Sequence, residues 1–237
     1  SVNVSGGNIK GDGWGLSGYG LYYLDSFYFD GLIGFGQNYY DQERRVVILS
    51  NNTTSAAAAP VDVTAKSKPE SDQFFAGFGL GYDVSDGPLT YGPYGRINYV
   101  QAEVDGYTES GAGALDLTVG DQTIRSLVST LGGQVSYAMS RNFGVLVPTL
   151  RAEWRHEFKN DARTIDSRYV NEFIPTGAAP TPLLTTSEEP DRNYGTAAVG
   201  VSGVLKGGLQ AFFLYERWFS LRDISVNLLT AGVRWEF

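Results

Sequence analysis

The chain has no cysteine and a single histidine, His156. The first absence excludes disulfide scaffolds and thiolate metal centres, and the second excludes a multi-histidine zinc site. Charge is also scarce. Asp, Glu, Lys and Arg together make up 19% of the residues, below the share of about a quarter in average globular proteins. The net charge is −8. An acidic chain with scattered cations is a poor nucleic-acid binder, because phosphate contacts need clustered Lys and Arg. No run approaches the roughly 18 consecutive apolar residues of a membrane-spanning helix. That excludes a helical membrane protein but not a membrane barrel, whose strands are apolar only at every second position. Residues 1–30 lack the basic start and apolar run of a signal peptide, so an export signal is expected upstream of Ser1. No G-x-S-x-G elbow is present. Gly77, Gly79 and Gly81 recur every two residues, as in a strand rather than a phosphate loop. No catalytic constellation is evident, and neither enzyme activity nor a cofactor is expected.

What the chain has in quantity is glycine, with 30 residues, and ring-bearing side chains, with 15 Tyr and 13 Phe among 237 positions. This suits aromatic-rich strands with close backbone approach. The side chains alternate with period two. In 145–158, Leu146, Leu150, Ala152, Trp154, His156 and Phe158 share one face, and Arg151, Glu153, Arg155 and Glu157 share the other. Phe74, Ala76, Phe78, Leu80 and Tyr82 oppose Phe75 and the three glycines, and similar alternation runs through 28–40 and 194–205. Nine strands follow, at about 13–24, 27–45, 72–84, 89–106, 121–140, 143–160, 191–206, 208–219 and 223–237. Most reach or exceed the 9–11 residues of a tilted membrane strand.

Short turns at Asp25-Ser26, Asp86-Gly87-Pro88, Arg141-Asn142 and Lys206-Gly207-Gly208 alternate with long loops at about 46–71, 107–120 and 161–190. Such alternation marks an antiparallel outer-membrane barrel with periplasmic turns and outer loops. The loops are rich in Ala, Ser, Thr, Pro and Asp and are expected to form no packed core of their own, except that part of 161–175 is read as a candidate extension of a strand above the membrane. The first and last of the nine strands both descend, so they cannot pair antiparallel, and single-chain bacterial barrels have even strand numbers. Either residues 1–10 supply a strand or strands precede Ser1. The second is favoured, with residues 1–10 as the tail of a preceding strand. Pro93 and Pro148 each follow a short turn, with Arg96 and Arg151 three residues on. Both prolines are expected to face outward and to mark local breaks near the periplasmic rim.

The inward face is read as small and charged. Gly34, Gly36, Gly77, Gly79, Gly81, Gly132, Gly200 and Ser202 leave room in the interior. Arg96, Arg151, Glu153, Arg155, Glu157, Arg234 and Glu236 are lumen candidates, since Arg or Lys at the lipid-facing midplane costs about 2–4 kcal/mol. These charges either contact a linker or transiting chain, or form a ladder that rigidifies a wet barrel. Tyr39, Tyr40, Trp154, Phe158, Trp218 and Trp235 are candidates for interfacial girdles. At the C-terminus, Gly232, Trp235 and the terminal Phe237 fit a pattern that resembles the β-signal read by the barrel-assembly machinery.

Over nearly its whole length the chain resembles the autotransporter β-domain family. The segments that carry the resemblance are 15–45 (GLSGYGLYYLDSFYFDGLIGFGQNYYDQERR), 74–84 (FFAGFGLGYDV), 92–117 (GPYGRINYVQAEVDGYTESGAGALDL), 146–158 (LVPTLRAEWRHEF) and 232–237 (GVRWEF). The resemblance implies a translocator in the bacterial outer membrane, in contact with lipid, that exports a passenger domain carried in cis. It also implies about twelve strands, with roughly three and a pore-spanning linker before Ser1. The whole of 1–237 is thus expected to be one N-terminally incomplete barrel domain. A free-standing porin or adhesin with binding loops is the alternative. A membrane-embedded enzyme would need a nucleophile–base pair, and a soluble β-sandwich or lipocalin fits the strand lengths poorly.

Overall fold

A computed structural model describes residues 2–4, 6–48, 60–171, 181–189, 191–222 and 224–235. Nine long strands pair antiparallel in chain order: β1 (Gly7–Leu24), β2 (Phe27–Ile48), β3 (Glu70–Tyr82), β4 (Leu89–Val104), β5 (Gln122–Tyr137), β6 (Gly144–Glu157), β7 (Asn193–Leu205), β8 (Leu209–Phe219) and β9 (Asn227–Trp235). The nine expected strands are all present, and the register of each hairpin follows from its turn. The β7–β8 turn, for example, passes through Gly207 and Gly208 at φ 89° and 80°, a region that only glycine enters without strain. Among the described residues β1 and β9 do not pair with each other, so the sheet is a curled, open wall. A short strand, Val2–Val4, lies antiparallel along the top of β1, with Val2 opposite Ile9.

The apolar residues face out. Leu150, Trp154, Phe78 and Val199 are each about half exposed, at 54%, 48%, 58% and 54%. No large side chain is fully buried among the described residues, so there is no dry core to hold the sheet together. The buried residues include instead Glu153, Glu157, Thr196, Thr130 and Glu216 on the concave side. A sheet that is oily outside and polar inside is stable only where the outer solvent is hydrocarbon.

Both prolines interrupt their neighbours. The pairing of Gly81 with Tyr94 and of Val84 with Tyr91 leaves no ladder bond opposite Pro93. The same gap appears opposite Pro148, between the pairs Ser136–Thr149 and Met139–Leu146. Proline has no N–H to give. The strand beside it therefore turns to its other neighbour: Asp83 donates to the Ser26 carbonyl at 2.7 Å, and Ala138 donates to that of Pro88 at 2.8 Å.

The outer loops are more ordered than their composition suggests. β2 continues upward and pairs with Val61–Ser67. Tyr107–Thr108, Leu117–Val119, Thr164–Tyr169 and Leu183–Thr186 form a separate four-stranded sheet. Reciprocal backbone bonds between Lys66 and Ser110, 2.8 and 2.9 Å, join the two parts. The upper tier thus repeats the strand order of the wall below. A seam separates the tiers at Lys68-Pro69, Asp105-Gly106, Gly120-Asp121, 158–163, 187–189 and 191–192, and among the described residues only the β1–β2 hairpin crosses it unbroken. The expectation that these loops pack nothing of their own is corrected here. Strand ends leave unpaired N–H and C=O groups, and continuing the ladder satisfies them. Ala65, Ala112 and Val119 are buried in the tier as a result.

Candidate functional site: the lumen wall

Alternation sets which residues face the lumen, and register sets which of them meet. Along one row across the sheet, Tyr28 is opposite Gly81, Gly81 opposite Tyr94, Tyr94 opposite Gly132, Gly132 opposite Glu153, Glu153 opposite Thr196, and Thr196 opposite Trp218. Tyr94 leans across Gly132 and donates its hydroxyl to Glu153 Oε1 at 2.5 Å. A Cβ on Gly132 would sit 2.8 Å from the Tyr94 ring, so the reach requires glycine there. Tyr28 lies across Gly81, Phe75 across Gly34 and Asp30 across Gly79 in the same manner. These inward glycines do not leave empty room, as alternation alone suggested; side chains from the next strand fill it.

Glu153 is the hub. Its Oε2 accepts from Arg155 Nη2 at 2.6 Å and from Thr196 Oγ1 at 3.0 Å, and Arg151 Nε lies 3.4 Å from its Oε1. Arg151 also donates to Glu216 Oε2 at 2.6 Å, and Glu216 accepts from Trp218 Nε1 at 2.8 Å. The Arg155 guanidinium stands 5.0 Å over the Trp218 ring, which stacks on Tyr194. Two arginines and two carboxylates are thus bound into one lattice across β4, β6, β7 and β8. Arg96, one row above, faces Asp30 across Gly79. Its Nε is 3.6 Å from Asp30 Oδ2, too far for a direct hydrogen bond, and both atoms are buried without a hydrogen-bond partner among the described residues.

Of the expected lumen residues, Arg96, Arg151, Glu153 and Arg155 gather on this wall. Glu157 also faces inward but is tied up locally: it accepts from the Ser126 hydroxyl and from the backbone N–H groups of Leu127 and Lys159. Arg234 shares the inward side of β9 with Gly232, whose open space is taken by the Phe212 ring. Trp235 points outward, and its Nε1 donates to the Gly207 carbonyl at 3.2 Å. Glu236 and Phe237 lie outside the described residues. Two girdle candidates are corrected. Trp218 shares its face with Glu216, and Tyr40 shares its face with Arg44, so both point inward. Alternation in 28–40 and 194–205 put Asp30 and Thr196 on the inner face without giving them partners; Tyr94 and Glu216 were not singled out, although the same odd–even count extended to their strands places both there.

Above the seam, Arg44 clamps the 107–120 segment. Its Nε and Nη2 donate to the two oxygens of Glu109 at 2.8 and 2.5 Å, and Nη2 also reaches the Leu115 carbonyl at 2.8 Å. The bond to Glu109 raises the Arg44 pKa further above its ordinary value. Burial raises that of the Tyr107 hydroxyl, with the nearby Glu109 charge adding to the effect.

A polar lattice on the concave side of a sheet with an apolar outer face is what the inner wall of a membrane β-barrel presents. The model of the autotransporter β-domain family matches residues 1–216. The chain belongs to that family. It is accordingly an outer-membrane translocator domain, and the export of a passenger is its family role. The fold is similar to that of the translocator domain of the autotransporter NalP from Neisseria meningitidis, with a TM-score of 0.66 and 16% identity over 99% of this chain and 70% of that one. In sequence, 110 residues (43% of this chain) are 36% identical to proteins named esterase EstA from Pseudomonas aeruginosa and from Pseudomonas putida. The chain spans about 16% of the length of these curated relatives. The family domain itself is not an enzyme.

Proposed function

We propose that residues 1–237 form a membrane-embedded part of a longer polypeptide, whose barrel is closed by strands outside this sequence, and that the lumen wall guides the attached passenger outward. The single observation that carries this reading is the polar lattice on the concave face of a sheet whose convex face is apolar. Val2–Val4, alongside the top of β1, supports a preceding ascending strand. In this reading the lattice of Arg151, Glu153, Arg155 and Glu216 stiffens the wall. Arg96 and Asp30, which do not complete their hydrogen bonds with each other, offer polar groups to a linker or transiting chain. Gly232, Trp235 and Phe237 serve the barrel-assembly machinery. Any catalytic activity of the whole polypeptide is assigned to its passenger.

The test uses the full-length polypeptide in intact cells, with passenger exposure followed by added protease. Asp30→Asn combined with Arg96→Gln is expected to slow the appearance of the passenger several-fold while the barrel keeps its heat-resistant mobility on gels. Export at the wild-type rate with a less stable barrel would reduce these charges to scaffolding and refute the guiding role.

A further inference from the structure

The outer edge of β5 and the segment after β6 hold three cations of a different kind from those in the lumen. Arg125, Lys159 and Arg163 line one cavity of about 350 Å³ at the seam. None of them is ion-paired among the described residues, although Asp161 and Glu188 share the rim. Among the described residues Arg125 is held by Gln101, its Nε donating to Oε1 at 3.2 Å. Arg163 is anchored through its backbone, its N–H bonded to Ser187 Oγ at 2.9 Å and its carbonyl accepting from Ser187 N–H at 2.8 Å. Its Nη1 is buried with no hydrogen-bond partner among the described residues. A buried guanidinium N–H without an acceptor is unfavourable, and it lies where two other cations already converge.

The position of this cavity indicates what fills it. Arg125 shares the lipid-facing side of β5 with Leu127, Leu131 and Val135, and it stands about 7 Å along the strand above Leu127. Beside Leu127 the chain places Phe158, whose ring packs edge-on against His156 at 4.6 Å. The cavity therefore sits just above the aromatic margin of the apolar belt, at the depth of lipid headgroups. The guanidinium forks of Arg125 and Arg163 match the oxygens of a phosphate, and Lys159 adds a point charge. Basic pockets at this depth bind anionic headgroups. We propose that Arg125, Lys159 and Arg163 form an outward-facing seat for the phosphate of an anionic outer-leaflet lipid, fixing the barrel's depth in the membrane. The seat is separate from the lumen wall and from its role in export.

The experiment places the full-length protein in nanodiscs of zwitterionic lipid and measures lipid retention by native mass spectrometry. Two glycolipid probes are compared, diphosphorylated lipid A and the same molecule stripped of its phosphates, and inorganic phosphate is added separately as a soluble competitor. The wild type is expected to retain the phosphorylated lipid at least tenfold better than the stripped one. R125Q/K159Q, which alters two exposed side chains and keeps the fold testable if R163Q does not assemble, is expected to lose that preference. R168Q, a cation elsewhere on the outer tier, is expected to keep it. Passenger export by R125Q/K159Q should match the wild type, so failure here and failure of the export reading are distinguishable. Equal retention of both lipids, undiminished retention by R125Q/K159Q, or displacement by inorganic phosphate at affinity similar to the lipid's would each overturn the proposal. If the phosphorylated lipid gains hold only after Glu188→Gln, the seat is closed by its own carboxylate, and the proposal also fails.

Discussion

The bond from Tyr94 to Glu153 joins strands that are two apart in the sheet, and its strength can be isolated. Both residues are nearly inaccessible, 6% and 8% exposed, and the donor meets a carboxylate at 2.5 Å. A hydrogen bond to a charged group is worth about 1.5–3 kcal/mol net. Glu153→Gln also removes the carboxylate facing Arg151 and Arg155. Taking one partner from a fully buried pair costs about 3–5 kcal/mol. Here Arg151 retains Glu216 at 2.6 Å and Arg155 retains the Trp218 ring, so the loss should be nearer about 2–4 kcal/mol, below the fully buried case. Tyr94→Phe should cost about 1–3 kcal/mol, because the carboxylate loses its donor. The double variant should cost less than the sum, leaving a coupling of about 1–2 kcal/mol. Guanidinium unfolding of the vesicle-inserted protein, followed by tryptophan fluorescence and extrapolated linearly to water, supplies the four free energies. A coupling below about 0.5 kcal/mol, within the scatter of independent sites, would show that the row is adjacency without interaction and would undo the description of Glu153 as a hub.

Further outcomes follow from the same geometry. Gly132→Ala should displace Tyr94 and cost about 1–3 kcal/mol through overpacking, and an additional Tyr94→Ala should restore part of that loss in the same unfolding assay. Leu150→Arg should destabilise the inserted barrel by about 2–4 kcal/mol, whereas Gln134→Arg, on the lumen side, should be nearly neutral. Arg44→Gln removes three hydrogen bonds from the 107–120 segment; faster amide exchange is expected there, with none in β4 or β5. The Arg45 guanidinium holds Asp62 below its ordinary value of 3.8. The folded pKa is lowered, so the pair's contribution is present above 3.8 and is lost as pH falls through the lower folded value. A carboxyl carbon titration of Asp62 by NMR with a midpoint at or above 3.8 would contradict this.

Much of the architecture was legible because one rule governs it. Alternation separated Leu150 and Trp154 from Arg151 and Glu153 without knowledge of any partner, and the short turns fixed the order of strands. What alternation does not carry is which distant residue lies alongside. Tyr94 and Glu153 are 59 residues apart, and Arg151 and Glu216 are 65 apart. Their meeting depends on the combined register of several hairpins, since a one-residue slip in any of them would turn a whole strand over. Trp218 was misplaced for a simpler reason: its ring suggested the membrane margin, while its position two residues from Glu216 put it inside. The upper tier escaped notice because its strands run only two to seven residues, too short for a period of two to stand out against Ser, Thr and Asp. The expected breaks at Pro93 and Pro148 did occur, and each shows itself in the neighbouring strand rather than in the proline's own.

The seam gives the molecule two halves with different freedoms. Below it, every strand is locked by its own periplasmic turn and by the lattice around Glu153. Above it, the sheet hangs from two continuous ribs, β1 and β2, and is otherwise reattached through new ladders after each break. Residues can therefore be exchanged, added or removed on the exterior without shifting any row of the transmembrane part. Changes to the outer sheet are thereby absorbed above that line, while the rows beneath keep their register.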